Sequence, residues 1–317
     1  CTDAPRRPIS ITQYVTKEDV ERFVVKKLRS SPGPDGITAS QIRAKLDEFV
    51  VLINCCILAL DIPDQWRVSS TILLPKKDGA SEPGDFRPIT IGSMLYRCLS
   101  AVLADRLNKC VKLTVNQKGF IRGDGIHEAI STLRFLLKHC PETRIAALDV
   151  SKAFDSISQE SIFAACRNKG IDSASVFLLQ NLYRECTTTI HLNGMCSPVI
   201  GITSGVKQGD PLSPVLFNII IDHLLENLNH SFLGVTLGDA KLPAIAYADD
   251  LVLTAPSDNE LQSLVDITAE TLSKVGLSLN RSKSVVMRCR DPVTVSGSIL
   301  ENVVSVKYLG VTICADG

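Results

Sequence analysis

The chain has 317 residues, 45% of them hydrophobic, enough to bury one or two full cores and too apolar for an intrinsically disordered protein. Thirty-four Lys and Arg balance 34 Asp and Glu, which is not the balance of a free-standing basic nucleic-acid binder. The richest apolar run, "FVVLINCCILAL", is too short to span a bilayer and is broken by Asn54, so it reads as a core helix, and no signal peptide is expected before it.

In chain order, "TKEDVERFVVKKL" predicts a helix capped by Thr16, with Asp19 at the capping-box distance. The Pro/Gly cluster at 32–36 ends it. A second helix near 40–60 leads to "VSSTILLPKK", a strand that carries Lys76 and Lys77 on a hairpin whose return is "DFRPIT". Helices are expected at 93–112 and 125–139, a strand at 144–150, and helices again over 158–185. "TTTIHLNG" opens a β-segment that closes at the Gly/Pro-rich turn before Gln208. "PVLFNIIIDHLLENL" is helical, with Pro214 near the first turn, where a missing N–H costs nothing. "AIAYADDLVL" is apolar on both flanks of Ala-Asp-Asp and suits a hairpin whose turn projects Asp249 and Asp250.

Asp149, at the end of the 144–150 strand, precedes that turn by about a hundred residues. An unpaired charge at the end of a buried strand is costly. Adjacent carboxylates also raise one another's pKa unless a cation neutralises them. Asp149 brought beside Asp249 and Asp250 makes an all-oxygen, hard-ligand site suited to Mg²⁺. That is the layout for two-metal phosphoryl transfer, with ions roughly 3.5–4 Å apart, one lowering the pKa of an attacking hydroxyl and one steadying a departing pyrophosphate. Alone, Ala-Asp-Asp is more often an ordinary turn. Here it stands in a longer series.

"YADD" following "LDVSKAFD" and "GVKQGDPLSPVLFNIIID" resembles the catalytic core of a reverse transcriptase of the non-LTR (LINE-like) retrotransposon kind. "SSPGPDGI", "LLPKKDGASEPGDFRPIT" and "NQKGFIRGDGIHEAI" precede these motifs in the family's order, and "GLSLNRSKSVVM" and "VKYLGVTI" follow, so nearly the whole chain is covered. The resemblance implies an α+β, right-hand polymerase fold: an antiparallel palm sheet backed by helices, with an α/β fingers domain and no thumb. It places the fingers at 1–140 and the palm at 141–317, with roughly 160–205 returning toward the fingers. The chain opens on Cys1 and stops just after "YLGVTICADG", so it is expected to be an excerpt of a longer protein.

The resemblance also assigns roles. Asp149, Asp249 and Asp250, with the carbonyl of Val150, would hold two Mg²⁺ ions, Mn²⁺ being an alternative, and Lys283 would protonate the leaving pyrophosphate. Lys76 and Arg87 would grip the incoming triphosphate, Arg as a planar fork and Lys as a point charge. Phe154 would lie under the sugar and exclude a 2′-hydroxyl, while Gln208 and Gly209 would run along nucleotide and template. Tyr308, Leu309 and Gly310 would seat the primer end. The implied activity is RNA-directed DNA polymerisation in target-primed retrotransposition. Its partners would be an RNA template, a DNA primer or target, and dNTP, with no membrane, inside the cell at nuclear DNA. Two alternatives stand beside it: an RNA-dependent RNA polymerase, or an inactive fragment that scaffolds RNA.

Between Arg67 and Arg122, ten Lys or Arg stand against Asp78, Glu82, Asp85 and Asp105, so a phosphate track that includes Lys112 is expected there. The eleven cysteines are scattered without a C-x-x-C pair and read as small buried hydrophobes in a reducing compartment. The chain has no internal repeat, dinucleotide glycine fingerprint or nucleoside-triphosphatase phosphate loop.

Overall fold

The computed structural model describes residues 8–192 and 194–316. Residues 1–7, Asn193 and Gly317 lie outside the described residues, among them Cys1 and one position of "TTTIHLNG". The helices are α1 Lys17–Lys26, α2 Ala39–Ala44, α3 Leu46–Ala59, α4 Met94–Cys110, α5 Gly125–His139, α6 Ala153–Ser156, α7 Gln159–Asn168, α8 Ser173–Tyr183, α9 Ser213–His230 and α10 Asp258–Lys274. The first eight strands are β1 Val68–Pro75, β2 Phe86–Gly92, β3 Arg144–Asp149, β4 Thr187–Leu192, β5 Met195–Cys196, β6 Ile200–Gly201, β7 Val235–Leu237 and β8 Ala240–Leu242. The others are β9 Ala244–Tyr247, β10 Asp250–Ala255, β11 Val285–Met287, β12 Thr294–Val295, β13 Ser298–Ile299, β14 Glu301–Val303, β15 Ser305–Tyr308 and β16 Val311–Cys314.

These elements gather into two units, 1–112 with 159–216, and 113–158 with 217–317. In the first unit, Thr16 and Asp19 form the expected reciprocal cap of α1, worth about 1 kcal/mol. The helix expected near 40–60 is divided: Lys45 leaves helical geometry at φ −126° and its N–H turns back to the carbonyls of Gln41 and Ile42. The helices expected over 158–185 are α7 and α8, parted where Gly170 takes φ 81° and Asp172 caps α8 through the Ser175 N–H. The sheet of this unit runs β2-β1-β4-β5, with β6 also on β4. β1 pairs antiparallel with β2 and parallel with β4.

The sheet of the second unit runs β14-β11-β3-β10-β9. Its four strands from β11 to β9 are antiparallel, as expected for a palm, but the edge pair β11–β14 is parallel. On α5, Ala129, Leu133 and Leu137 recur at helical spacing and are buried with Ile145, Ile245, Val252 and Met287 of the sheet. Burying each large aliphatic side chain contributes about 1.5–3 kcal/mol, so α5 is held to this sheet by a continuous apolar stripe.

Two compositional expectations need correction. Of the ten described free cysteines, Cys56, Cys98, Cys166, Cys186 and Cys289 are buried, but Cys55, Cys110, Cys196 and Cys314 are exposed. Three of the ten basic residues from Arg67 to Arg122 are spent inside the fold, while Lys76, Lys77, Arg87, Lys109, Lys112 and Arg122 stay exposed. Buried Arg67 donates to the Ile62 carbonyl and to Asp61, Arg97 to Ser30 and the Ser31 carbonyl, and Arg106 to the carbonyls of Ile11, Gln13 and Tyr14. Such guanidinium groups tie chain segments together and leave less charge for phosphates.

Candidate active site

In the second unit, Asp149 at the end of β3 and Asp250 at the start of β10 are register partners in an antiparallel pair. Directly opposed side chains project on one face, with Cβ atoms about 4.5–5.5 Å apart. Two carboxylates distant in sequence are therefore set side by side at one end of the sheet. β10 returns to β9 with Tyr247 paired to Asp250, so Ala248 and Asp249 form the intervening turn. Ala248 takes φ 56°, a left-handed conformation that costs a non-glycine residue roughly 1–2 kcal/mol. Strain is stored directly beside the carboxylates.

The end of β3 is stitched to the loop before β11. The Asp149 N–H donates to Ser284 Oγ at 3.1 Å, the Asn280 N–H to the Asp149 carbonyl at 2.7 Å, and the Ser151 N–H to the Ser278 carbonyl at 2.8 Å. Val150 is buried and bridges to Leu279. This folding of "GLSLNRSKSVVM" places Lys283 Nζ 4.0 Å from Asp149 Oδ2, with the lysine well exposed. Nothing local in "NRSKS" marks Ser284 as the partner of Asp149, because the bond spans 135 positions.

Partial burial, then the charges of Asp249 and Asp149, push the Asp250 carboxyl up from its ordinary value. Among the described residues, no three His, Cys, Asp or Glu side chains already converge as a metal cage. The donors are instead two register-paired carboxylates and a third in the adjoining turn, all oxygen and mutually repelling, which suits a hard divalent cation.

Phe154 lies on α6, just after Lys152 at φ 44°. Its half-buried ring stacks on Phe217, centroids 4.5 Å apart and planes 17° from parallel. Tyr308 is buried in the cluster with Leu133, Ile145 and Met287. Burial, then Asp250, push its hydroxyl up. Leu309 and Gly310 form the turn of the β15–β16 hairpin at φ 49° and 83°, so the buried tyrosine anchors a backbone tip.

In the first unit, Lys76 and Arg87 lie on the β1–β2 hairpin, Arg87 opposite Leu74. Lys76 Nζ donates to the Gly84 carbonyl at 3.0 Å. Arg87 and Lys112 are exposed and form no ion pair among the described residues. The Thr90 N–H donates to the Gln208 carbonyl at 2.7 Å, tying the "VKQGD" loop to the strand that carries Arg87. Gly209 takes φ 105°, and a Cβ there would stand 2.9 Å from the Thr90 carbonyl oxygen, so only glycine fits. A buried frame supports this loop. Lys207 Nζ lies 4.1 Å from the centre of the Tyr96 ring. Asp210 accepts from Ser100 Oγ and is pushed up to about 6 by burial. Sequence reading assigned no part to Lys207 or Asp210, although two opposite charges flanking Gln-Gly in an apolar context are the available signal.

The reverse transcriptase (RNA-dependent DNA polymerase) family matches residues 74–313. The chain belongs to the reverse transcriptase family. The enzyme class of that family is RNA-directed DNA polymerase. This chain is 40% identical over 274 residues to the Retrovirus-related Pol polyprotein from type-2 retrotransposable element R2DM of Drosophila melanogaster, covering 85% of this chain and 26% of that protein. It is 37% identical over 278 residues to the Pol polyprotein from a type-1 retrotransposable element R2 of Popillia japonica, covering 86% and 39%. The chain thus spans well under half the length of these relatives. It also resembles a telomerase from Candida tropicalis solved with a TWJ fragment of telomeric RNA, with TM-score 0.55 and 13% identity over 88% of this chain and 48% of that one. At that identity the likeness is one of fold, the right-hand polymerase fold. Among the described residues no helix is long and apolar enough to cross a membrane.

Proposed function

We propose that this chain is the polymerising part of a retrotransposon protein: it adds dNTPs to a primer 3′-hydroxyl under the direction of an RNA template, in target-primed retrotransposition at nuclear DNA. The observation that carries the reading is the register pairing of Asp149 with Asp250, with Asp249 in the adjoining turn, in a member of this family. Two Mg²⁺ ions, held by Asp149, Asp249, Asp250 and the Val150 carbonyl, would lower the pKa of the primer hydroxyl and offset the charge of the departing pyrophosphate. Mn²⁺ is an alternative.

The chain's own groups do the rest. Lys76 and Arg87 bind the triphosphate, with Gln208 and Gly209 along nucleotide and template, and Phe154 bars the 2′-hydroxyl. Lys283, already beside Asp149, donates a proton to the leaving pyrophosphate. Leu309 and Gly310 present backbone to the primer end, anchored by Tyr308. The first unit serves as fingers and the second as palm, so that 113–140, expected in the fingers, goes with the palm sheet, and 159–216, expected within the palm with roughly 160–205 returning toward the fingers, goes with the fingers. Primer extension comparing dNTPs with NTPs on RNA and DNA templates tests this. Extension by dNTPs on RNA supports the reading, preference for NTPs points to an RNA-dependent RNA polymerase, and RNA binding without extension points to a scaffold.

Two basic residues separate triphosphate grip from general RNA attraction. Arg87→Ala is expected to raise the dNTP KM about tenfold or more, since a charge-assisted hydrogen bond is worth about 1.5–3 kcal/mol, and to leave the salt slope of template binding unchanged. Lys112→Ala, with its exposed charge, is expected to reduce that slope by about one and leave dNTP KM alone. Equal weakening of template binding by both, with dNTP KM unmoved, would assign Arg87 to the RNA instead.

A further inference from the structure

The turn that carries Asp249 is held from behind by one buried carboxamide. Gln117 is 1% exposed, and its Oε1 accepts two N–H groups, from Gly119 at 2.8 Å and from Ala248 at 3.1 Å. Two donors converging on one atom fix which end of the amide is oxygen. Its Nε2 is buried without a hydrogen-bond partner among the described residues. An unmade buried donor is costly, so the acceptor atom accounts for a polar side chain at this position.

The segment around Gln117 is aligned on the hairpin residue by residue. The Ala246 N–H donates to the Asn116 carbonyl at 2.9 Å and the Lys118 N–H to the Ala246 carbonyl at 2.7 Å, while Asn116 Nδ2 donates to the Ala244 carbonyl at 2.8 Å. Gly119 packs so closely that a Cβ would lie 2.5 Å from the Ala248 nitrogen. From the other side, buried Asn218 on α9 donates to the Gly119 carbonyl at 2.7 Å. Ala248 is the strained residue of the turn, and its N–H, outside the β9–β10 ladder, has Gln117 as its partner. That hydrogen bond therefore holds the strained residue in the left-handed geometry that sets the direction of Asp249.

We propose that Gln117 is a positioning residue for the reaction: through the Ala248 N–H it fixes the turn that presents Asp249 beside Asp149 and Asp250. This rests on the polymerase reading above. Gln117→Met keeps the length and apolar stem of the side chain and removes the acceptor. In the protein carrying this chain, it is expected to lower kcat about 10- to 100-fold with dNTP KM within about twofold, and to speed amide exchange at Ala248 at least about tenfold while Val252 on β10 stays protected. Gln117→Glu retains an accepting oxygen and is expected to keep the Ala248 amide protected. It also serves as the test if Gln117→Met does not fold. The proposal is overturned if Gln117→Met leaves kcat within about twofold. It is equally overturned if Ala248 exchange is unchanged in Gln117→Met, or is as fast in Gln117→Glu as elsewhere in an unprotected loop, or if protection is lost across the whole sheet together with dNTP affinity. Asp249→Asn run in parallel keeps the two levels apart: near-wild-type extension by that variant would overturn the site assignment itself.

Discussion

Asp249→Asn is expected to abolish primer extension, a loss of at least about 10³-fold or roughly 4 kcal/mol of transition-state stabilisation, while the fold stays intact. The substitution keeps the size of the side chain in the Ala248–Asp249 turn and removes one of three crowded negative charges. Asp249 is one cause of the raised Asp250 carboxyl. A carboxyl raised in the folded state makes its ionised form a cost to stability, absent at low pH and present once the group ionises. Neutralising the neighbour lessens that cost, so the Tm of the metal-free variant at neutral pH should equal or exceed that of the wild type. Extension assays and thermal unfolding on the same preparation decide it. A rate near wild type sinks the assignment, and a large fall in Tm with the loss of rate would attribute the loss to folding.

Phe154→Val is expected to raise ribonucleotide incorporation relative to deoxynucleotide by one to several powers of ten, at about 1.4 kcal/mol per tenfold, with only a modest fall in dNTP use. The ring's stack on Phe217 adds a separable cost. Losing an aromatic pair removes about 0.5–1.5 kcal/mol beyond buried area, so Tm should fall as well. The two readouts report different roles for the ring. Incorporation of both sugars by wild type and variant measures the first, and unfolding the second. A lower Tm with an unchanged sugar ratio would leave Phe154 as packing alone.

Much of the site's chemistry is legible in one dimension because it is written in local patterns. A Thr with Asp three positions on caps a helix wherever it occurs, and α1 starts as expected. Apolar residues flanking Ala-Asp-Asp make a hairpin with its turn at that centre. Arg67, Arg97 and Arg106 look like a phosphate track in sequence because charge is all the sequence displays. Their carbonyl and serine partners are brought close only by folding. Lys45 divides a helix that a periodicity count runs together, since periodicity registers side chains and not the backbone angles between them.

The sequence by itself determined the identity of the carboxylates, the hairpin that bears two of them and the family to which the chain belongs, because those depend on residue type and short spacing. The tertiary structure alone decided that Asp149 is the register partner of Asp250, that Ser284 and Lys283 meet Asp149, and that Gln117 holds the turn. Each of these contacts closes a loop of roughly a hundred residues or more, and such a pairing is chosen by how the strands bury their apolar faces together, not by anything the contacting residues display to their neighbours in the chain.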